Sequence, residues 1–201
     1  MLVAGIKSRP VYKGLVLQPH ARRHIFALEG EGALALLDQR AALDGAILSR
    51  SEILYAPGGS QGRGHDQALL GLGARVCWTA PTVPTLLFRL NGTLATARMG
   101  TRLYIAGTEG FIGQAMAVAL DHGIDHASVI TEHRGSLARR VQCVHCKGIT
   151  EAVTTSVFPC SHCGLALLVR DHYSRRLAAF QGVNIDAEEP GSAPNPEELF
   201  L

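Results

Sequence analysis

Apolar runs alternate with amphipathic stretches through the middle of the chain. Four short apolar runs predict strands at residues 53–56, 75–79, 102–106 and 127–131. The stretches between them place apolar side chains three or four positions apart and predict helices at residues 65–72, 85–96 and 110–122. Strands that alternate with helices at this pitch form βαβ units. The pattern therefore predicts an α/β domain with a parallel sheet that is covered by helices on both faces.

The flanking regions have different patterns. Residues 1–50 contain short apolar runs broken by glycines and predict a β-rich or mixed lead-in before the α/β domain at residues 51–135. Residues 136–186 hold two cysteine pairs between strand-like runs, which predicts a small β-rich metal-binding domain. Residues 187–201 are acidic and rich in proline, and they predict a mobile tail with an apolar tip.

The bulk composition limits the classes of protein to consider. The chain has 201 residues, of which 47% are hydrophobic and 18% charged, enough for one medium domain and a small one. A formal net charge of +2 and 5% aromatic residues do not favour nucleic acid as a partner. The N-terminus lacks the apolar region of a secretory signal, and no apolar run approaches the length of a membrane span. We therefore expect a cytoplasmic protein without a membrane partner.

Two cysteine pairs near the C-terminus carry the clearest chemistry. They are Cys143-Val-His-Cys146 and Cys160-Ser-His-Cys163, with thirteen residues between the pairs. Two such knuckles facing each other place four thiolates at the corners of a tetrahedron, which suits Zn²⁺ or a single rubredoxin-type iron. Two disulfides are the alternative, but the reducing cytoplasm disfavours them. The fifth cysteine, Cys77, lies in a strand-like run and is expected to be a buried small hydrophobic residue.

The residues around the thiols bear on the choice of metal. Glycine directly after both pairs, and proline inside the second, are typical of rubredoxin-type iron sites. Here Lys147 and Ser161 take two of those places, which favours zinc and keeps iron as the alternative. His145 and His162 lie inside the knuckles, and with four cysteines at ligand spacing we expect both to point to solvent.

A second segment with ligand-binding character is Ala106-Gly-Thr-Glu-Gly-Phe111, between a predicted strand and a helix. It resembles the closing segment of the nucleotide-binding domain of ferredoxin–NAD(P)H reductases, where a strand ends in Cys-Gly-Pro. The resemblance extends to Glu132 and to the glycine-rich stretch at 57–64, where those reductases hold a pyrophosphate. The resemblance implies NAD(P) contacts at Gly58, Gly59, Arg63, Gly107 and Gly110.

The sequence also departs from the reductase pattern. Ala106-Gly107-Thr108 stands where the reductases have Cys-Gly-Pro, so the thiol beside the nicotinamide is missing. The first fifty residues are too short for a flavin-binding barrel. These departures disfavour an independent flavin-dependent reductase.

A broader resemblance covers most of the chain and is most specific over residues 103–191, which include Leu168-Val-Arg-Asp-His-Tyr-Ser and Asp186-Ala-Glu-Glu-Pro. Here the chain resembles the DmmA-type subunit family of bacterial dimethylamine monooxygenases. The resemblance implies the α/β fold class, with a reductase-like parallel sheet, flanking helices and a zinc-ribbon or rubredoxin-like C-terminal domain. It also implies an accessory, electron-delivery role in an NAD(P)H-dependent complex with reductase and oxygenase subunits. The alternatives are a stand-alone NAD(P)-binding reductase fragment and a nucleic-acid-binding zinc ribbon.

Overall fold

The computed structural model describes residues 8–58, 64–124 and 126–201. They form two compact units. The first unit is Tyr12–Gly135, and the second is Ser136–Leu201 together with the described residues 8–11. Within the described residues, no helix combines the length and the apolar character needed to cross a bilayer.

The first unit is a five-stranded parallel sheet flanked by helices. Its strands are β1 (Arg23–Glu29), β2 (Ser51–Ala56), β3 (Val76–Thr79), β4 (Thr101–Gly107) and β5 (Val129–His133). Its helices are α1 (Gly32–Leu37), α2 (Gly45–Leu48), α3 (His65–Leu70), α4 (Val83–Leu94) and α5 (Glu109–Asp121), with short 3₁₀ turns at Arg40–Ala42 and His126–Ser128. The strand order is β3-β2-β1-β4-β5. The predicted α/β fold class is confirmed.

The two faces of this sheet carry separate apolar cores. On β1, Ile25 and Ala27 join the core that α4 and α5 cover, whereas Phe26 and Leu28 join the core beneath α1. Because both faces are buried, β2 and β4 read as nearly continuous apolar runs and not as alternating ones. The parallel sheet places the carboxyl ends of its strands at one edge, where the glycine-rich turns lie.

The segment predicted as a lead-in belongs to this sheet. β1 is its central strand and pairs with β2 on one side and β4 on the other. The α/β unit therefore starts at Tyr12, and not near residue 50 as the sequence pattern suggested. Gly30 and Gly32, which looked like breaks, form the tight turn from β1 into α1. A Cβ atom at Gly32 would lie 2.1 Å from the carbonyl oxygen of Ala106 on β4, so only glycine fits this crossing.

The second unit is built from short strands around the cysteine pairs. The strands are β6 (Arg139–Cys143), β7 (Ile149–Val153), β8 (Thr155–Ser156), β9 (Phe158–Pro159), β10 (Ala166–Ser174), β11 (Ala179–Asn184) and β12 (Glu197–Glu198). Five of them form a sheet of order β7-β6-β11-β10-β9, and β12 pairs with β8. β11 lies parallel to β6, while the other pairs are antiparallel.

The end of the predicted mobile tail is ordered. β12 pairs with β8 through Glu197 and Glu198, and Phe200 joins the apolar core of the second unit with 9% of its surface exposed. The composition of residues 187–201 suggested disorder because it is polar and rich in proline. The burial of Phe200 corrects that expectation, since burying one phenyl ring orders the residues next to it.

Candidate metal centre

Both cysteine pairs lie on tight turns that follow a strand. Cys143 is the last residue of β6, and Cys160 directly follows β9. In the first turn the Lys147 N–H donates to the carbonyl of Cys143 at 3.0 Å, and in the second the Gly164 N–H donates to that of Cys160 at 3.0 Å. Lys147 has φ 63° and Gly164 has φ 75°, so the two turns share one backbone geometry.

The structure brings all four predicted ligand sulfurs together. Their Sγ atoms lie within 4.8 Å of one another. Cys143 Sγ is 3.9 Å from Cys163 Sγ, and Cys146 Sγ is 3.7 Å from Cys160 Sγ. A tetrahedron with metal–sulfur bonds of about 2.3 Å has edges of about 3.8 Å. These separations fit four ligands of one ion and are nearly twice the length of a disulfide bond, about 2.05 Å.

Backbone N–H groups surround the sulfurs as well. The Gly148 N–H points at Cys146 Sγ at 3.4 Å, and the N–H groups of His162 and Cys163 donate to the Cys160 sulfur. Such donors stabilise thiolates, which are the form that binds a metal. The donor set therefore fits a tetrathiolate ion such as Zn²⁺ or iron.

The local field separates the acidities of the two thiols in the second knuckle. Burial disfavours the Cys160 thiolate, but the backbone N–H groups and the neighbouring sulfurs outweigh it and lower its pKa to about 6. At Cys163 the N–H of Leu165 favours the thiolate, yet burial and the three other sulfurs raise the pKa to about 12. A thiolate in the cluster therefore disfavours the ionisation of the next thiol. A divalent cation removes this repulsion, so its binding releases the remaining thiol protons.

One residue of the centre has a role that the sequence did not suggest. His162 is exposed and is not one of the four ligands, as expected, but its Nε2 also lies 2.9 Å from the carbonyl oxygen of Ile149. A Cβ atom at Gly148 would come within 2.4 Å of the His162 ring, so the first knuckle leaves room for the imidazole of the second. Thr150 and Ser161 add a hydroxyl contact of 2.9 Å. Polar contacts therefore brace the two knuckles against each other.

The residues predicted to contact a nucleotide lie in the first unit. Gly58 follows β2 with φ 69°, Gly107 ends β4 with φ 152°, and Gly110 is in the first turn of α5. Gly59 and Arg63 lie outside the described residues. Gly58 and Gly107 meet around Glu29: a Cβ atom would lie 3.2 Å from its Oε1 at Gly58 and 2.7 Å from its Oε2 at Gly107. The structure thus brings two of the predicted glycines to one side chain.

The amino end of α5 already holds a carboxylate. Glu29 Oε2 accepts a hydrogen bond of 2.9 Å from the N–H of Thr108, the N-cap residue directly before the helix. Backbone N–H groups at this position are the ones that would approach a phosphate in a reductase-like domain. Glu29 is therefore a site residue that the sequence did not single out. A glutamate at the end of a predicted strand, opposite a glycine-rich turn, was the available signal.

An N-terminal segment covers the neighbouring part of this edge. The Tyr12 hydroxyl donates to Glu109 at 3.2 Å, and its ring stacks on His133 with a centroid distance of 5.9 Å. The N–H of Leu15 donates to Glu132 at 2.6 Å. The glutamate that matches the flavin-side residue of the reductases thus binds the chain's own backbone.

Comparisons with known proteins agree with this two-part organisation. A family model described as "dimethylamine monooxygenase subunit DmmA-like, N-terminal domain" matches residues 4–129, and the corresponding C-terminal domain model matches residues 140–183. A curated relative, the heme-dependent oxidative N-demethylase delta subunit of Ectopseudomonas mendocina (strain ymp), is 35% identical over 116 residues. That match covers 58% of this chain and 66% of the relative, just under two thirds of the relative's length.

Two solved structures have a distant likeness to this chain. Full-length CYP116B46 from Tepidiphilus thermophilus matches with a TM-score of 0.44 and 17% identity, over 70% of this chain and 20% of that protein. An intact type IV self-sufficient cytochrome P450 monooxygenase matches with a TM-score of 0.43 and 18% identity, over 88% and 22%. Scores this low assign neither a fold nor a function. The N-terminal family model alone spans more than half of the chain, which therefore belongs to the dimethylamine monooxygenase subunit DmmA-like family.

Proposed function

We propose that this protein is an accessory subunit of a cytoplasmic, NAD(P)H-dependent oxygenase complex that demethylates dimethylamine. In this proposal it bridges the reductase and oxygenase subunits or supports electron delivery between them. The family membership and the printed name of the curated relative support an oxidative N-demethylase system. One observation carries the accessory role: the chain has a four-thiol centre and a reductase-like unit, and in that unit the Glu29 carboxylate takes the place where a reductase would bind a phosphate.

The four cysteines would hold Zn²⁺, with iron as the alternative. Zinc has no redox chemistry, so in that case the ion would fix the two knuckles and the surface around them. Iron in four thiolates would instead carry one electron. Lys147 and Ser161 support zinc, and the bracing contacts of His162 with the first knuckle fit a structural centre.

The α/β unit would bind a partner subunit and would not bind a nucleotide. A phosphate at the start of α5 would face the Glu29 carboxylate. Two like charges about 4 Å apart near a protein surface repel by about 4 kcal/mol, which exceeds the roughly 1.5–3 kcal/mol of one charge-assisted hydrogen bond. The NAD(P)H dependence of the complex would then reside in its reductase subunit.

Titration calorimetry with NADH and NADPH tests this part of the proposal. We expect no heat of binding with the wild-type chain. The rival candidate, a stand-alone NAD(P)-binding fragment, is favoured by the meeting of Gly58 and Gly107 at one edge of the sheet. Binding that is lost in Arg63→Ala would establish that rival and contradict the docking role.

Co-purification tests the accessory role itself. A tagged chain expressed in the source cell should retain reductase and oxygenase subunits through size-exclusion chromatography. Deletion of this chain should lower NAD(P)H-driven demethylation of dimethylamine, while the isolated oxygenase keeps its activity with a chemical reductant. Demethylation at the wild-type rate in the deletion strain would contradict the proposal.

A further inference from the structure

The C-terminal five residues cross the second unit as a strap. We call residues 197–201 the C-terminal strap. Its first two residues form β12 against β8. The N–H groups of Leu199 and Phe200 then both donate to the carbonyl oxygen of Thr154, at 3.0 and 2.9 Å. The carbonyl oxygen of Leu201 accepts from the Leu137 N–H at 2.9 Å. The strap is therefore hydrogen-bonded along its whole length.

The strap carries an aromatic anchor at its next-to-last residue. Phe200 lies over the guanidinium of Arg139, 4.0 Å from its ring centroid, and Phe180 lies 4.0 Å from the same group. Arg139 is 4% exposed and pairs with Asp171 at 2.8 Å. A buried guanidinium needs both its charge partner and its apolar cover. Phe200 supplies part of that cover, which explains why a residue next to the chain end is buried.

The strap contacts two segments that lead to the cysteine pairs. Residues 149–159 lead from the first knuckle to the second, and they cross from one edge of the sheet, β7, to the other, β9. The strap binds this crossing at its middle, through Thr154 and β8. Through Leu137 and Arg139 the strap also contacts the start of β6, the strand that ends at Cys143. Phe200 shares one apolar core with Cys143 and Cys160.

We propose that the C-terminal strap positions the metal centre by clamping the crossing between the knuckles to the strand that carries the first knuckle. Phe200 is the positioning residue. It acts through Arg139 and the β8 crossing. The inference rests on the four cysteines holding a metal and is independent of the role of the chain in an oxygenase.

The test measures how fast a chelator removes Co²⁺ from the full-length chain. Tetrathiolate Co²⁺ is followed by its visible absorption, which also reports whether the ion is tetrahedral. Substitution of residues that orient metal ligands weakens metal binding by about 10- to 100-fold. We expect Phe200→Ala to release Co²⁺ about tenfold faster, with weaker tetrahedral bands at saturating metal. Phe200→Tyr, which keeps the ring over Arg139, should release it at nearly the wild-type rate.

A matched pair of substitutions at the preceding residue, Leu199, tests one backbone hydrogen bond of the strap. Leu199 is 45% exposed, so Leu199→Ala keeps its N–H and serves as the control, whereas Leu199→Pro deletes the donor to Thr154. We expect faster release from the proline variant alone, which also tests the strap if Phe200→Ala does not fold. Release at the wild-type rate from a folded Phe200→Ala variant or from Leu199→Pro would overturn the proposal that the strap positions the metal centre. A wild-type chain that takes up no Co²⁺ would overturn the metal centre itself.

Discussion

At the scale of single residues, polar groups in the first unit are held in place by contacts that differ from one group to the next. Glu29 is held by the N–H of Thr108 at the start of α5. His24 is fully buried, and its ring stacks with the ring of Tyr104 on the neighbouring strand. Its Nδ1 lies 3.2 Å from the Tyr104 hydroxyl, and among the described residues its Nε2 meets no hydrogen-bond partner. Such a site disfavours the charged imidazolium.

This burial predicts a pH dependence of stability. Burial, and secondly the charge of Arg50, lowers the pKa of His24 below 6.5. The unfolded chain therefore binds a proton that the folded chain rejects, and stability is lost as the pH falls below about 6.5. The slope for one such group is at most about 1.4 kcal/mol per pH unit. Urea unfolding followed by the fluorescence of Trp78 at pH 7.5 and 5.5 should show this loss in the wild type.

His24→Phe is the variant that separates this effect from general acid sensitivity. It keeps a stacked ring and removes the titrating group, so the difference in free energy of unfolding between the two pH values should shrink. An unchanged difference would mean that His24 is not the group that responds.

At the scale of elements, close crossings of backbone determine how the first unit is built. The turn from β1 into α1 passes against β4 so tightly that Gly32 has no room for a side chain. Apolar runs that alternate with amphipathic stretches predicted β2 to β5, because each of these strands lies next to a helix in the chain. It missed β1 as the central strand, since that role depends on β2 and β4, which follow later in the sequence.

Gly32→Ala tests the crossing. The added methyl group must displace the backbone of β4, and overpacking of this kind destabilises a core by about 1–3 kcal/mol. Gly92→Ala is the matched control, because Gly92 lies inside α4 with nothing within 4 Å of a new Cβ atom. We expect that control to stabilise by up to about 1 kcal/mol. Equal effects of the two substitutions in urea unfolding would argue against the close crossing.

At the scale of the whole molecule, a parallel α/β unit and a small β unit with four thiols are joined in one chain. The second unit has a smaller apolar core than the first, so its order depends more on the ion. Removal of the metal should therefore unfold the second unit and leave the fluorescence of Trp78 in the first unit unchanged.

Cysteine substitutions make this prediction specific. Cys143→Ser should abolish the bound metal, because three thiolates remain where four are needed. Cys77→Ser, on β3 of the first unit, should keep the full metal content. Elemental analysis and the visible spectrum give the readout. We expect about one zinc and no colour in the wild type, whereas a red, reducible, iron-containing protein would contradict the zinc assignment.

The sequence by itself determined the features that depend on residues near one another in the chain. The four cysteines and the order of most strands and helices follow from spacings of a few residues, because knuckles and helical turns are local. Only the tertiary structure decided what meets across long separations. The N–H of Thr108 lies 79 residues from the Glu29 carboxylate that it binds, and Phe200 comes from the far end of the chain to cover Arg139. No local pattern encodes such contacts, since they exist only once the sheets have formed.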